Sequence, residues 1–127
     1  MQTKKNKFYE DIYQGINFHF RGCTLIFRAA QFKTVTYLRF ILNFFSENGM
    51  LFGNYGINYQ NDEGNTALHL SCKKGHKPHI KLLIDYGADI SIKNNKGKSP
   101  VDCSKKEIGI YVMEVYDNLL DIKEPSE

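Results

Sequence analysis

The sequence predicts an all-α fold, a solenoid of about three helix-turn-helix units with β-turn arms. The main observation is a repeat of 33 residues: NDEGNTALHLSCKKGH, from Asn61, aligns with NNKGKSPVDCSKKEIG, from Asn94. An earlier copy, HFRGCTLIFRAAQFKT, begins at His19 with an offset of 42 residues. A repeat of this length indicates units that must stack, because one unit cannot bury its apolar face alone.

Each copy opens with the residues of a turn followed by a helix start. Asn61 and Asn94 begin four-residue turns that close at Gly64 and Gly97, a type I signature. Two residues later comes a hydroxyl side chain that can cap a helix. These predicted N-caps are Thr24, Thr66 and Ser99.

A short first helix is predicted after each cap, including the one after Ser99, where Pro100 suits the first helical position. In the second copy the chain turns at Gly75, a second helix starts near Pro78, and Gly87 ends it. Its apolar face is Ile80, Leu83 and Ile84.

The outer parts of the chain depart from this pattern. Lys33 replaces the mid-repeat glycine in the first copy, whose second helix is predicted at Val35–Asn48, followed by an inserted loop, GMLFGNYG. We divide the chain into a cap segment (1–17, with a helix over Lys7–Gln14), three units (18–58, 59–91 and 92–116) and a helix end with a polar tail (117–127). The last helix, IYVMEVYDNLL, is predicted to face inward through Ile110, Met113 and Leu120.

These motifs resemble the ankyrin repeat family. GNTALHLSCKKGHKPHIKLLIDYGADI is similar to the family consensus over a whole unit, GKSPVDCSKK resembles a terminal repeat, and GCTLIFRAA a degenerate first one. The resemblance covers about residues 18–116. It implies a non-catalytic protein-binding module, an adaptor or inhibitor whose partner lies across the arm tips and the outer sides of the first helices.

Composition narrows the setting. The net charge of +3 is mild, and three cysteines, an odd number, argue against a disulfide framework and for a reducing, cytoplasmic location. We expect no signal peptide, and YLRFILNFF is too short to span a membrane. The AT-rich bias and short solenoid resemble proteins of large DNA viruses and intracellular bacteria, which implies a host protein as partner.

A cluster of cysteine and histidines could be read as a zinc site, but the repeat explains its members. Cys72 suits the small-residue position between helices, and His79 lies on the packing side of the second helix. In the family, the histidine at position 76 bonds to backbone, and His69 ties neighbouring turns together. Ser71 is expected to be buried, so we predict no enzyme, no metal and no cofactor.

The remaining positions are candidates for recognition, and we expect the lysines among them to converge on one side. The acidic face of a partner protein would fit them, with aromatic side chains as anchors; alternatively the lysines only solubilise the chain. The inserted loop either packs over the long helix or grips the partner. Nucleic-acid binding is the alternative function, against which the scarcity of arginine argues, and a monomer is expected. The candidate residues are Phe20, Arg21, Phe32, Phe52, Asp62, Glu63, Lys73, Lys74, Lys96, Lys98 and Lys106.

Overall fold

A computed structural model describes residues 24–123, with side chains to residue 121. This part of the chain holds five α-helices and no strand. The predicted cap helix Lys7–Gln14, the candidates Phe20 and Arg21, and the tail at 124–127 lie outside the described residues. The helices are α1 (Leu25–Gln31), α2 (Thr36–Glu47), α3 (Ala67–Lys74), α4 (Lys77–Asp85) and α5 (Lys106–Lys123).

The helices pack as stacked pairs. α1 packs on α2, α3 on α4, and the pairs meet where α1 contacts α3 and α4 contacts α5. Small side chains line these boundaries, since Ala29, Ala30 and Cys72 are at most 1% exposed. One apolar core therefore runs through all the units, as the stacking of repeats requires.

The first pair begins as the sequence predicts. The Thr24 hydroxyl accepts a hydrogen bond from the Phe27 N–H at 3.3 Å, which caps α1. α2 lies within a residue of the predicted Val35–Asn48 at each end. Its buried face, with Leu38, Leu42 and Phe45 fully buried, follows helical spacing.

The second pair is the most regular unit. The Thr66 hydroxyl accepts from the His69 N–H, while the His69 ring accepts from the Thr66 N–H, so a capping box opens α3. α3 ends at Gly75 in the left-handed conformation, with φ of 72°. α4 has proline in its first turn and buries Ile80, Leu83 and Ile84, as predicted.

The two described arm turns have the same hydrogen bonds 33 residues apart. The Gly64 N–H donates to the Asn61 carbonyl at 2.8 Å, and the Gly97 N–H to the Asn94 carbonyl at 2.9 Å. The Asn95 N–H also donates to the Glu63 carbonyl at 3.0 Å, which joins one arm to the next. Gly64 has φ of +80°, and a Cβ there would lie 2.7 Å from the Asn95 nitrogen, so the close approach of the arms requires glycine.

The predicted helix after Pro100 is wrong. Residues 100–104 form turns, in which the Cys103 N–H reaches the Pro100 and Ser99 carbonyls and the Ser104 N–H reaches the Val101 carbonyl. The Ser104 hydroxyl donates to that same carbonyl at 2.7 Å, so it competes with a helical bond. Val, Asp, Cys and Ser are all weaker helix formers than the Ala, Leu and Lys residues that make up most of α3, and the helix begins only at Lys106.

The predicted inward face of the last helix is also wrong. Ile110, Met113 and Leu120 are 51%, 41% and 39% exposed. The buried stripe is instead Ile108, Val112 and Val115. α5 carries apolar residues on two stripes with helical spacing, so periodicity alone does not decide which one packs on α4.

Candidate partner-binding surface

The charged side chains at the arm tips are exposed because backbone groups and asparagine side chains hold the arms together. Asp62 and Glu63 are exposed, while their carbonyl oxygens accept hydrogen bonds from the side chain and the N–H of Asn95. Lys96 and Lys98 are also exposed, and their N–H groups donate to the Asn94 side chain. The arm tips therefore present both signs of charge without using those charges for folding.

His69 connects unit two to the arm of unit three. Its Nδ1 accepts from the Thr66 N–H at 3.0 Å, so Nε2 carries the proton and donates to the Lys98 carbonyl at 2.9 Å. Burial lowers the pKa of His69, which the hydrogen bond to Lys98 partly opposes. At 1% exposure the ring does not reach solvent. The predicted role of His69 as a tie between neighbouring turns is confirmed.

A second group of candidates lies at the other end of α3. Lys73 and Lys74 are exposed in the last turn of this helix, whereas Lys98 is bonded near its start. Eight helical residues span about 12 Å, so the candidate lysines are spread along the length of α3 rather than gathered at one point. Lys106 begins α5, whose Ile108 lies beside Gly75 at the Lys74 end.

Two histidines lie at the junction of α3 and α4: His76 precedes α4, and His79 lies in its first turn. Burial, together with the charges of His79, Lys74 and Lys33, lowers the pKa of His76. The His76 N–H donates to the Ser71 carbonyl at 3.1 Å, but its buried Nδ1 has no hydrogen-bond partner, so the expected side-chain bond to backbone is not made at that atom. The turn of unit one lies beside this end of α3, because the Phe32 carbonyl is bonded by His79.

Phe32 and Tyr37 form an exposed aromatic pair at this same end. Their ring centroids are 5.2 Å apart in an edge-to-face arrangement, and the side chains are 51% and 43% exposed. The Phe32 carbonyl accepts from His79 Nε2 at 2.8 Å, so the turn is held by unit two. Phe32 is among the candidates predicted from the sequence, whereas Tyr37 is not. In the sequence, Tyr37 is distinguished only as an aromatic residue in the first turn of a predicted helix.

The inserted loop mainly packs. Leu51 and Ile57 are buried, and Met50 and Tyr55 pack against the core. Phe52 is 67% exposed, but its ring lies against Gly87, where an added Cβ would meet the Phe52 Cζ at 2.9 Å. The loop is thus joined to the core through Leu51 and to unit two through Phe52.

The cysteine and histidines of the α3–α4 turn serve packing. Burial, with a smaller effect of the Cys103 thiol, raises the pKa of the Cys72 thiol to about 12, so it stays protonated. Ser71 is also fully buried. In the part of the chain with described side chains, no three His, Cys, Asp or Glu residues lie where they could hold a metal ion. Likewise, none of the described helices is long and apolar enough to cross a membrane.

Comparison with known proteins decides the family. A family model described as ankyrin repeats, three copies, matches residues 5–94. The chain belongs to the ankyrin repeat family. Ankyrin repeats are generally protein–protein interaction modules and are generally non-catalytic.

Sequence relatives agree with this assignment. A putative ankyrin repeat protein of Rickettsia bellii is 37% identical over 60 residues, 47% of this chain and 36% of the relative. One of Rickettsia felis is 36% identical over 87 residues, 65% of this chain and again 36% of the relative. The chain therefore spans about a third of the length of these ankyrin repeat proteins.

A solved structure supports the fold. The ankyrin repeat domain of Bcl-3, a member of the IkappaB protein family, superposes with a TM-score of 0.60 over 87% of this chain and 46% of that domain's chain. At 18% identity this likeness shows the repeat fold alone. The predicted all-α ankyrin solenoid is thereby confirmed.

Proposed function

We propose that this ankyrin repeat protein binds the acidic face of a partner protein through its arm tips and the outer side of α3. The supporting observation is that five candidate lysines are exposed and carry no ion pair within residues 24–121. The ion pair in that range is instead Lys81–Asp85, on α4. These five lysines are Lys73, Lys74, Lys96, Lys98 and Lys106.

Charges of one sign that lack counter-charges cost a small domain free energy through repulsion, and they attract an oppositely charged surface. Four of these lysines lie on two rigid supports, a capped helix and an arm tied to it by His69, and Lys106 begins α5. A partner would therefore meet preformed positions and would need little rearrangement of this chain to bind.

The aromatic pair supplies an apolar contact beside the charges. The pair lies at the Lys74 end of α3, since the Phe32 carbonyl accepts from His79, whose ring centroid is 5.1 Å from that of His76, two residues after Lys74. Exposed aromatic side chains on a rigid turn are typical anchors of protein interfaces. We infer a partner segment with an apolar side chain that enters between acidic residues.

In this proposal the protein acts by covering part of its partner's surface, as an adaptor or an inhibitor. The proposed location is the cytoplasm, and the proposed target is a protein of a host cell. Affinity purification from cell extract, with and without nuclease, followed by mass spectrometry tests this function. We expect the same protein to be retained in both arms, with an association rate that falls as salt is added. Loss of the bound material after nuclease treatment would favour the nucleic-acid alternative. A salt-independent rate would contradict an acidic face.

A further inference from the structure

α5 carries an exposed stripe that no described residue covers. Its members are spaced by four, three and four residues, so they lie along one side of the helix. Beside the stripe runs a groove of about 470 Å³, to which Val101 and Gly109 contribute. All four members also line this groove, and its two charged members have no ion pair within the described side chains. The stripe consists of Lys106, Ile110, Met113 and Asp117.

The spacing of the stripe, four, three and four residues, is the same when it is read from either end. Two antiparallel copies of the stripe can therefore align residue against residue. When two copies of α5 lie antiparallel with their midpoint between residues 111 and 112, Ile110 of one copy faces Met113 of the other. Lys106 then faces Asp117 of the second copy, at both ends of the contact. An apolar centre flanked by opposite charges that meet twice is the arrangement that a two-fold symmetric interface requires.

A further ankyrin unit fits this face less well than a second copy does. In unit two, Cys72 and Ile84 are 1% exposed. The residues 33 positions later are Lys105 and Asp117. A helix pair stacked here as α5 stacks on α4 would have to bury both charges, which is costly without partners. Antiparallel pairing instead leaves Asp117 at the rim opposite a lysine.

We propose that this chain forms a homodimer through antiparallel α5 helices, with Ile110 and Met113 at its centre and Lys106 paired with Asp117 of the second copy. This inference replaces the monomer expected from the sequence. It also assigns Lys106 to the dimer and leaves Lys73, Lys74, Lys96 and Lys98 to the proposed protein partner. A dimer would present two such surfaces to one target.

The apolar centre is tested by the mass of the protein in solution. Sedimentation velocity over a range of concentrations should show a dimer for the wild type. Met113→Glu should give a monomer at concentrations where the wild type is dimeric, with unchanged circular dichroism. Asn118→Glu is the matched control: it is exposed on the same helix but follows Met113 by five residues, so it lies on a different side of α5 and should remain dimeric.

The charged ends are tested by reversal and mixing. Lys106→Glu and Asp117→Lys should each raise the dimer dissociation constant roughly tenfold at low salt, because each places two like-charge pairs in the interface. When the two variants are mixed, the heterodimer has only opposite charges in contact, and its affinity should return to the wild-type value. The double variant should recover in the same way.

Three results would each overturn the dimer: a monomeric wild type at all concentrations, dissociation by Asn118→Glu but not by Met113→Glu, or no recovery on mixing. These results are independent of the proposed partner function as it remains without Lys106, because Lys73, Lys74, Lys96 and Lys98 all lie outside α5. A chain that fails to dimerise and still binds its partner contradicts this inference alone.

Discussion

The Nε2 atom of His69 lies 2.9 Å from the carbonyl oxygen of Lys98, so a side chain of α3 holds the arm of the following unit. Such a bond exists only when the units are stacked in register. Because His69 is buried, breaking the bond leaves its Nε2–H without a partner, although the Lys98 carbonyl still accepts from the Asn94 N–H at 2.9 Å. The candidate residues on α3 and on the next arm are therefore kept at a constant separation by a buried residue.

The burial of His69 makes stability depend on pH. The folded state keeps His69 neutral, since burial lowers its pKa, whereas the unfolded chain protonates it near the ordinary value of about 6.5. The unfolded state thus binds more protons below that pH. Stability should be full above it and should fall as the pH drops through it, by up to about 1.4 kcal/mol per pH unit for this group.

Urea denaturation at several pH values between neutral and mildly acidic measures this slope. His69→Gln should be less stable at neutral pH and should show a shallower dependence on pH than the wild type. His76→Gln, which removes the other histidine whose pKa is lowered, controls for general effects of losing an imidazole. If the slope is the same with and without His69, then His69 is not the titrating group.

Leu68 tests the register of the repeat. It follows the cap Thr66 by two residues and is 1% exposed at the boundary between units. Leu68→Ala should lower the free energy of unfolding by about 2–5 kcal/mol, because it removes a buried side chain and leaves a cavity. Chemical denaturation measures the change. A loss under about 1 kcal/mol would be inconsistent with a buried position.

Metal removal should leave the fold unchanged. The Cys72 thiol stays protonated, and the buried Nδ1 atoms of His76 and His79, which have no hydrogen-bond partner, are not joined by a third side chain in any metal-binding group among the described residues. We expect the same Tm with and without a chelator, measured by thermal denaturation. A lower Tm with chelator that zinc restores would show that the α3–α4 turn holds a metal after all.

The inserted loop separates an exposed contact from a buried one. Phe52→Ser should leave helical content intact, since the side chain is 67% exposed and touches unit two only at Gly87. Leu51→Ser, its neighbour, should destabilise the protein by about 2 kcal/mol or more, because Leu51 is 8% exposed in the core. Circular dichroism with urea denaturation compares the two. Equal losses would mean that Phe52 belongs to the core.

The sequence is most informative where one residue type is required by local geometry. Gly64 and Gly97 close turns in the left-handed region, and Thr66 caps a helix. These roles can be predicted from the residue types and their spacing, without knowledge of tertiary contacts. The turn after Pro100 and the buried face of α5 were not predictable in this way. In the turn, the Ser104 hydroxyl bonds the Val101 carbonyl in place of a helical N–H. On α5, either of two apolar stripes could pack on α4, so both outcomes depend on three-dimensional contacts.

The candidate surface shows the same division. The solvent exposure of Lys73, Lys74, Lys96 and Lys98 follows from the repeat register alone. Their spread along α3 does not, because it depends on the angle between arm and helix. The pairing of Phe32 with Tyr37 likewise requires the turn to bring the rings together across a break between two helices.

The last prediction concerns the lysines at the two ends of α3. Reversing Lys73 and Lys96 together changes one charge at the helix end and one at the arm tip, and neither side chain makes an ion pair within the described residues. Lys73→Glu with Lys96→Glu should slow association with the identified acidic partner at low salt, by about tenfold or more, and should weaken the salt dependence of the rate. The fold should survive, since exposed substitutions usually change stability by less than about 0.5 kcal/mol. Arg39→Glu with Lys81→Glu is the control for net charge, because it alters the charge equally at exposed positions on α2 and α4; since it also breaks the Lys81–Asp85 ion pair, its fold is checked by circular dichroism. Stopped-flow or surface-based kinetics at several salt concentrations measures both variants.

If both variants slow association to the same extent, net charge alone steers the encounter. If neither variant slows association, the lysines only keep the chain soluble, and recognition depends on Phe32 and Tyr37.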